Sequence, residues 1–155
     1  MKHPSTALSI TLILLSLHGT AHAGPDACTQ TERQVWYCEA NGKFYTLCAS
    51  QDLGPNKGYL QYRAYKGATQ EFAYPSAPRH PFGLFKLDLL PRGAALRFKN
   101  GAYDYEIHEP LTGSTEILVS KNRKTLARLS CSDYMDSLTL TSTQDFFSRI
   151  GIYDK

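Results

Sequence analysis

The sequence predicts an all-β fold, a compact antiparallel β-sandwich or barrel of about eight short strands with a short C-terminal helix and two disulfides. Short runs rich in aromatic and β-branched residues recur along the chain, and such side chains suit a pleated, half-buried sheet. Asn-Gly pairs separate two sets of these runs, which is the strongest short-range signal of a β-hairpin. Four cysteines, an even number, complete the pattern of a small disulfide-bonded domain.

The first 23 residues have the pattern of a secretory signal peptide. Lys2 supplies a positive charge, an apolar stretch runs from Leu8 to Leu17, and Ala21-His22-Ala23 forms a small-x-small cleavage site. The apolar stretch is too short to span a bilayer, which takes about 20 apolar residues. Cys28 does not follow the cleavage position directly, as lipid attachment would require. We therefore expect a single domain, residues 24–155, that is periplasmic or secreted and does not insert into a membrane.

The charge and cysteine usage of this expected domain exclude several classes of function. All 14 acidic residues and all but one of the 17 basic residues lie in it, so its net charge is +2, too small to indicate nucleic-acid binding. The first three cysteines are spaced ten residues apart, which does not match a Cys-x-x-Cys zinc clip. We therefore expect disulfides among Cys28, Cys38, Cys48 and Cys131, no metal site and no cofactor.

The first predicted hairpin joins strands at 34–39 and 44–49 through the turn Asn41-Gly42, because both turn residues accept a positive φ. This register places Cys38 opposite Tyr45 and Cys48 opposite Val35, with the two cysteines on opposite faces of the sheet. A Cys38–Cys48 bond is therefore disfavoured. Two pairings remain open: Cys28–Cys48 with Cys38–Cys131, or Cys28–Cys38 with Cys48–Cys131.

The middle of the chain predicts three more strands around a stiff loop. Strands are expected at 58–65 and 71–74, and a strand-like pattern returns from Phe82 to Leu90. Residues 75–81 contain three prolines and must form a stiff loop or a sheet edge. Pro91-Arg92-Gly93 then turns the chain.

The clearest element is a second hairpin, with strands at 94–99 and 102–108 around the turn Asn100-Gly101. Its register sets one apolar face against one charged face, as a half-buried antiparallel sheet requires. The expected apolar pairs are Leu96 with Tyr105 and Phe98 with Tyr103, and the other face pairs Arg97 with Asp104 and Lys99 with Ala102.

A third hairpin is expected from residues 115–120 and 125–131. A three-residue loop would align Ile117, Val119, Ala127, Leu129 and Cys131 on one face. In the tail, 138–140 is the expected last strand. Ser142-Thr-Gln-Asp145 resembles a capping box that would start a short helix at 143–150, with Gly151 ending it.

No pattern of catalytic residues emerges, and we expect the protein not to be an enzyme. The chain has no Gly-x-Ser-x-Gly motif, and paired cysteines offer no thiol nucleophile. Asp104 and Glu106 lie on the predicted solvent face beside Arg97, which indicates a solvated ladder of charges. His108 is expected at the surface just past its strand. Recognition of a partner is therefore the expected kind of function. Binding residues concentrate in loops on a rigid sheet.

Two loops are the candidate partner-binding sites. The prolines of the 75–81 loop limit the entropy lost on docking, and the residues around them are of the types that dominate interfaces. The second candidate is the tip of the Asn100-Gly101 hairpin with the aromatic residues behind it. The candidate residues are Tyr74, Arg79, His80, Phe82, Asn100, Gly101 and Tyr103.

Three segments carry a resemblance to a known group of proteins: Leu47-Cys48-Ala49-Ser50, Tyr59-Leu-Gln-Tyr-Arg63 and Phe98-Lys-Asn-Gly-Ala-Tyr-Asp-Tyr105. With the signal peptide and disulfides, they resemble small bacterial periplasmic proteins related to lysozyme inhibitors, and periplasmic immunity proteins that neutralise cell-wall-degrading effectors. The inhibitors carry a Ser-Gly-x-x-Tyr-type loop that enters the enzyme's cleft. Asn100-Gly101-Ala102-Tyr103 is the nearest match, and only Gly101 and Tyr103 carry over.

The resemblance implies an inhibitor or immunity protein that blocks a peptidoglycan-degrading hydrolase or toxin effector. A slightly basic chain lacks the acidic complement of a strongly basic lysozyme, which favours a less basic target. The alternative is a β domain that binds a small ligand or acts in envelope assembly. A deep apolar pocket would favour that alternative.

Overall fold

This computed structural model describes residues 27–153, and the expected signal peptide lies outside them. The described residues form ten strands and one helix. The strands form two antiparallel sheets of five, so the fold is the expected antiparallel sandwich with two more strands than about eight. The elements are β1 (Glu32–Ala40), β2 (Lys43–Ser50), β3 (Leu60–Lys66), β4 (Thr69–Tyr74), β5 (Phe85–Leu90), β6 (Gly93–Asn100), β7 (Tyr103–Pro110), β8 (Glu116–Lys121), β9 (Lys124–Ser130), β10 (Asp133–Tyr134) and α1 (Thr141–Arg149). Sheet A has the strand order β10-β1-β2-β3-β4, and sheet B has the order β5-β6-β7-β8-β9.

The inner faces of the two sheets pack together through a layer of aromatic rings. Phe98 in sheet B lies at its centre, with its ring centroid 4.6 to 5.3 Å from those of Tyr62, Tyr74, Phe85 and Tyr105. Tyr62 and Tyr74 belong to sheet A, so these contacts join the sheets. Aromatic pairs at such distances contribute about 0.5–1.5 kcal/mol each beyond the area they bury.

The β1–β2 hairpin confirms the predicted turn and the predicted orientation of its cysteines. Asn41 and Gly42 have φ of 51° and 70°, and Cys38 lies opposite Tyr45. A bulge at Val35 places Cys48 opposite Gln34 rather than opposite Val35, so that part of the predicted register is wrong. The observed disulfides are Cys28–Cys48 and Cys38–Cys131, the first of the two pairings left open.

The β6–β7 hairpin keeps its predicted faces but not its predicted register. The turn is Gly101-Ala102, and Gly101 has φ 59°, as a two-residue turn with glycine in its first central position requires. Asn100 therefore stays in β6, opposite Tyr103. In consequence Phe98 pairs with Tyr105 instead of Tyr103. The other observed pairs are Leu96 with Ile107, Arg97 with Glu106 and Lys99 with Asp104.

The β8–β9 hairpin reaches the expected alignment by a different route. Its turn has two residues, Asn122 and Arg123, and Leu126 is the extra residue of a bulge. The bulge restores the predicted face, because Ile117 lies opposite Leu129 and Val119 opposite Ala127. The predicted three-residue loop is therefore wrong, although the predicted alignment of these residues on one face is correct.

The tail differs from its prediction at 138–140, which forms no strand. The backbone N–H groups of Ser137, Leu138 and Thr139 donate to the buried Glu109 carboxylate at 2.8–3.0 Å, so they do not pair with a strand. The helix starts two residues earlier than predicted, and Leu140 at its N-cap makes no side-chain capping bond. The expected end at Gly151 is confirmed by its φ of 74°. No helix within residues 27–153 is long and apolar enough to cross a membrane.

Candidate functional site

The segment 75–84 connects the two sheets and presents one large aromatic side chain to solvent. Phe82 is 69% exposed, the highest value among the large hydrophobic residues between 27 and 153. His80 fixes the backbone beside it, since its Nε2 donates to the Gly54 carbonyl at 2.9 Å and its Nδ1 accepts from the Phe82 N–H at 3.3 Å. These two bonds require the neutral ring with its proton on Nε2. The exposed ring thus stands on a backbone held by hydrogen bonds.

The chain's C-terminal segment supports the Phe82 ring from the other side. A Cβ on Gly151 would lie 2.8 Å from a ring carbon of Phe82, so the ring packs directly on this glycine. Ile152, next in the chain, accepts a hydrogen bond from the Leu87 N–H at 2.7 Å and so ties this segment to the edge of sheet B. The position of the ring is therefore determined by contacts on two sides.

Phe82 forms a ridge between two concave surfaces. The larger, which we call the sheet B groove, has a volume of about 780 Å³ and runs across the outer face of sheet B. The smaller has a volume of about 480 Å³ and is lined by His80, Pro55 and the end of α1 around Arg149. Phe82 and Gly151 line both. This is the candidate functional site.

The floor of the sheet B groove is charged. Arg97 lies between two carboxylates, since its Nε donates to Glu106 at 2.8 Å and its other end pairs with Asp88. Lys86 pairs with Asp88 at 3.0 Å, and Lys99 with Asp104 at 3.6 Å. The outward-facing residues that line the groove are Lys86, Arg97, Lys99, Asp104, Glu106, Leu118, Ser120, Arg123 and Thr125.

The ion pairs between Asp88 and Arg97 shift the pKa of each of these two groups toward its charged form. Burial by itself would raise the pKa of the Asp88 carboxyl, but hydrogen bonds and charges from Lys86 and Arg97 lower that pKa below its ordinary value. Burial by itself would lower the pKa of Arg97, yet its bonds to Glu106 and Asp88 raise it. The Asp88 carboxyl is therefore unprotonated at neutral pH, and Arg97 engages both Asp88 and Glu106.

The structure brings together only some of the predicted site residues. His80 and Phe82 line the candidate site, whereas Tyr74 is half-buried, with its ring 4.6 Å from that of Phe98. Arg79 is exposed but is not among the residues lining either groove. Tyr74 therefore supports the loop from beneath.

The predicted hairpin tip stands beyond one end of the sheet B groove. Asn100 and Gly101 are exposed, and Tyr103 is 40% exposed with the Lys121 ammonium 5.1 Å from its ring centroid. The base of the hairpin, Lys99 and Asp104, lines the groove. The tip and the Phe82 ridge are thus connected through the groove floor.

The sequence did not identify Arg123 as a site residue. The expected three-residue loop gave no reason to place Arg123 at a defined position in the turn. From the sequence, Arg97, Asp104 and Glu106 are interpreted only as a solvated ladder. Their clustering with Lys86 depends on strand pairs that no local pattern reveals. The available signal was the Asn122-Arg123 pair, where Asn-Gly is the usual turn sequence.

A second polar cluster lies on the outer face of sheet A and is structural. The Glu32 carboxylate accepts hydrogen bonds from both terminal nitrogens of Arg63 at 2.6 and 2.9 Å. It also accepts from the Tyr59 hydroxyl at 2.6 Å and from the Thr29 N–H at 2.6 Å. Glu32 also lies close to the sulfurs of Cys28 and Cys48, in a geometry that metal sites use. Those sulfurs are bonded to each other, so neither is a free thiolate ligand.

The comparisons with known proteins leave function to be argued from this geometry. No family model matches the chain, and no curated protein or solved structure is significantly similar to it.

Proposed function

We propose that the protein is an exported, non-enzymatic binding protein that blocks a peptidoglycan-degrading hydrolase or effector, as an inhibitor or an immunity protein. The observation that carries the proposal is the Phe82 ridge, a 69% exposed ring held in place between two concave surfaces. Exposed aromatic rings that fit a pocket of a partner are typical anchors of protein interfaces.

The rigidity of the ridge is what makes it a good anchor. The bonds of His80 and the contact with Gly151 hold the ring before any partner arrives, so little entropy is lost on binding. Complete burial of a phenylalanine side chain contributes about 1.5–3 kcal/mol. A projecting ridge can enter a concave site, and enzyme substrate sites are concave.

The chemistry around the ridge supports a binding role over a catalytic one. The Glu106 and Asp88 carboxylates are engaged by Arg97, and both ring nitrogens of His80 are used in holding the loop. The floor of the sheet B groove carries the ion pairs of Arg97 and Lys99, which a protein surface with both signs of charge can complement. Both features favour a protein partner over the alternative of a small-ligand or envelope-assembly domain.

The test compares inhibition of purified peptidoglycan hydrolases by the exported protein and by Phe82→Ala. The set of hydrolases includes acidic and basic enzymes. Loss of an interface anchor costs about 2 kcal/mol or more, so we expect inhibition at least about 30-fold weaker for Phe82→Ala. Leu111→Ala is the matched control, because Leu111 is 65% exposed and lies in the β7–β8 connection outside both grooves.

Equal inhibition by wild type and a folded Phe82→Ala protein would remove the ridge from the interface. The double variant Arg79→Ala/Phe82→Ala then tests the rest of the loop. Absence of binding to every hydrolase in the set would contradict the proposed function and support the ligand-binding alternative.

A further inference from the structure

Arg123 occupies a backbone position that ordinarily belongs to glycine. Its φ is 64°, in the second place of a two-residue turn between β8 and β9. The corresponding place in the β1–β2 turn is held by Gly42, with φ 70°. Asparagine tolerates this region, as Asn41 and Asn122 do, but a side chain such as arginine is strained there. The fold alone would be more stable with glycine at 123.

The Arg123 side chain has no structural role that offsets this strain. It is exposed and makes no hydrogen bond, ion pair or ring contact with the residues that the structure describes. It lines the end of the sheet B groove farthest from the β5 edge. Residues held in sparsely populated backbone conformations without structural benefit often serve binding.

The charge at this end of sheet B is predominantly positive. Arg123 and Lys99 both line the groove at this end, and Lys121 and Lys124 flank the turn outside the groove lining. Asp104 is the carboxylate that pairs with Lys99, at 3.6 Å, and both groups of that pair are more than half exposed. The end of the groove therefore carries an excess of cations that attracts an anionic group.

We propose that Arg123 binds a carboxylate on a surface loop of the protein partner, at the opposite side of the sheet B groove from Phe82. This inference rests on the proposed function and adds the chemistry of the partner: its contact surface carries exposed aspartate or glutamate. The planar guanidinium forms two parallel hydrogen bonds to a carboxylate.

The groove floor favours a protein loop over a polyanion. Asp104 and Glu106 line it among the cations, so a chain of uniform negative charge meets repulsion along the groove. A protein loop offers both signs and places a carboxylate only at the cationic end. The net charge of +2 for residues 24–155 agrees with an acidic partner rather than a strongly basic one.

The decisive variant is Arg123→Gly, because strain and binding predict opposite effects. Glycine relieves the positive φ, so the melting temperature should rise. Affinity for an inhibited acidic hydrolase should fall by about tenfold, as expected for loss of one charge pair. Arg123→Gln removes the charge and keeps the strain. Arg92→Gln is the matched control, since Arg92 is exposed in the β5–β6 turn at the opposite end of sheet B.

A second measurement does not depend on a hydrolase. Amide NMR shifts of the exported protein are followed during titration with an acidic peptide, with its glutamine counterpart, and with a peptidoglycan fragment. We expect salt-sensitive shifts at the β8–β9 turn with the acidic peptide, which Arg123→Gln abolishes and Arg92→Gln leaves unchanged.

The outcomes separate this inference from the proposed function. Hydrolase inhibition that Arg123→Gly and Arg123→Gln leave unchanged overturns the role of Arg123 and leaves the proposed function standing. Binding of the peptidoglycan fragment alone overturns the choice of a protein partner. Amide shifts at the β8–β9 turn on addition of the acidic peptide, without binding to any hydrolase, would support the carboxylate site and contradict the proposed function.

Discussion

Two buried carboxylates, Glu32 and Glu109, organise their surroundings because each has a full set of hydrogen-bond donors. Glu109 is fully buried and receives three backbone N–H groups and the Thr139 hydroxyl. Glu32 receives Arg63, Tyr59 and the Thr29 N–H. A buried carboxylate without such donors would be strongly destabilising. Both residues are therefore part of the scaffold, not of the binding site.

The lowered pKa of Glu32 predicts that the protein loses stability in acid. Burial alone would raise the pKa of its carboxyl, but the bonds from Arg63, Tyr59 and Thr29 and the charge of Arg63 lower it from 4.5 to about 2. Because the folded pKa lies below the unfolded one, the stabilisation is complete above about pH 5 and is lost as pH falls toward 2. Its size is on the order of 3 kcal/mol.

The measurement is urea unfolding of wild type and Glu32→Gln across that range of pH. Glu32→Gln should lose about 3 kcal/mol near neutral pH, because Arg63 stays buried without its partner. The difference between the two proteins should shrink in acid. Asp52→Asn is the control, since Asp52 is exposed in the loop between β2 and β3. A difference that does not change with pH would contradict the lowered pKa of Glu32.

At the level of elements, turns and bulges decide which neighbours each strand meets. The sequence predicts the strands and their buried faces well, because alternation of side chains depends only on local pattern. It mispredicts registers where a turn moves by one residue, at Gly101, or where a bulge adds one, at Val35. At Leu126 it mispredicts the turn but not the alignment of the strands. These choices depend on packing between strands, which no short segment contains.

The two faces of β6 predict very different costs for neighbouring substitutions. Phe98 is buried at the centre of the aromatic layer, so Phe98→Ala should destabilise the protein by about 3–5 kcal/mol. Arg97 lies in a partly exposed ladder of charges, with 41% of its side chain exposed, and Arg97→Ala should cost under about 1 kcal/mol. Denaturant unfolding of both variants measures this. Similar losses would mean that the faces of β6 are assigned incorrectly.

At the scale of the whole molecule, the candidate site arises where separate parts of the chain meet. The sequence predicts His80 and Phe82, because prolines and large side chains are visible locally. It does not predict that residues near Gly151 support the ring, or that Arg123 closes the groove. These positions are brought together by the pairing of five strands and by the return of the C-terminal segment to β5.

The two disulfides act on different parts of this architecture. Cys38–Cys131 joins β1 of sheet A to the chain leaving β9 of sheet B, across 93 residues. Cys28–Cys48 spans 20 residues and fastens the segment before β1 to the outer face of sheet A. The chain-entropy model gives a stabilisation of about 4.5 kcal/mol for the longer loop and about 3 kcal/mol for the shorter.

We therefore expect Cys38→Ala/Cys131→Ala to be less stable than Cys28→Ala/Cys48→Ala, and the gap should exceed the model's difference of about 1.5 kcal/mol. The extra loss arises because Cys38 and Cys131 are both buried in the core between the sheets, so their removal also leaves space there. Denaturant unfolding of the two double variants gives the comparison. Removal of the Cys28–Cys48 disulfide should also leave Phe82 and the sheet B groove intact, so Cys28→Ala/Cys48→Ala should retain the proposed inhibition of a hydrolase while it remains folded. Greater instability of that local variant would mean that the segment before β1, with its bonds to Arg63, contributes more to the fold than the link between the sheets.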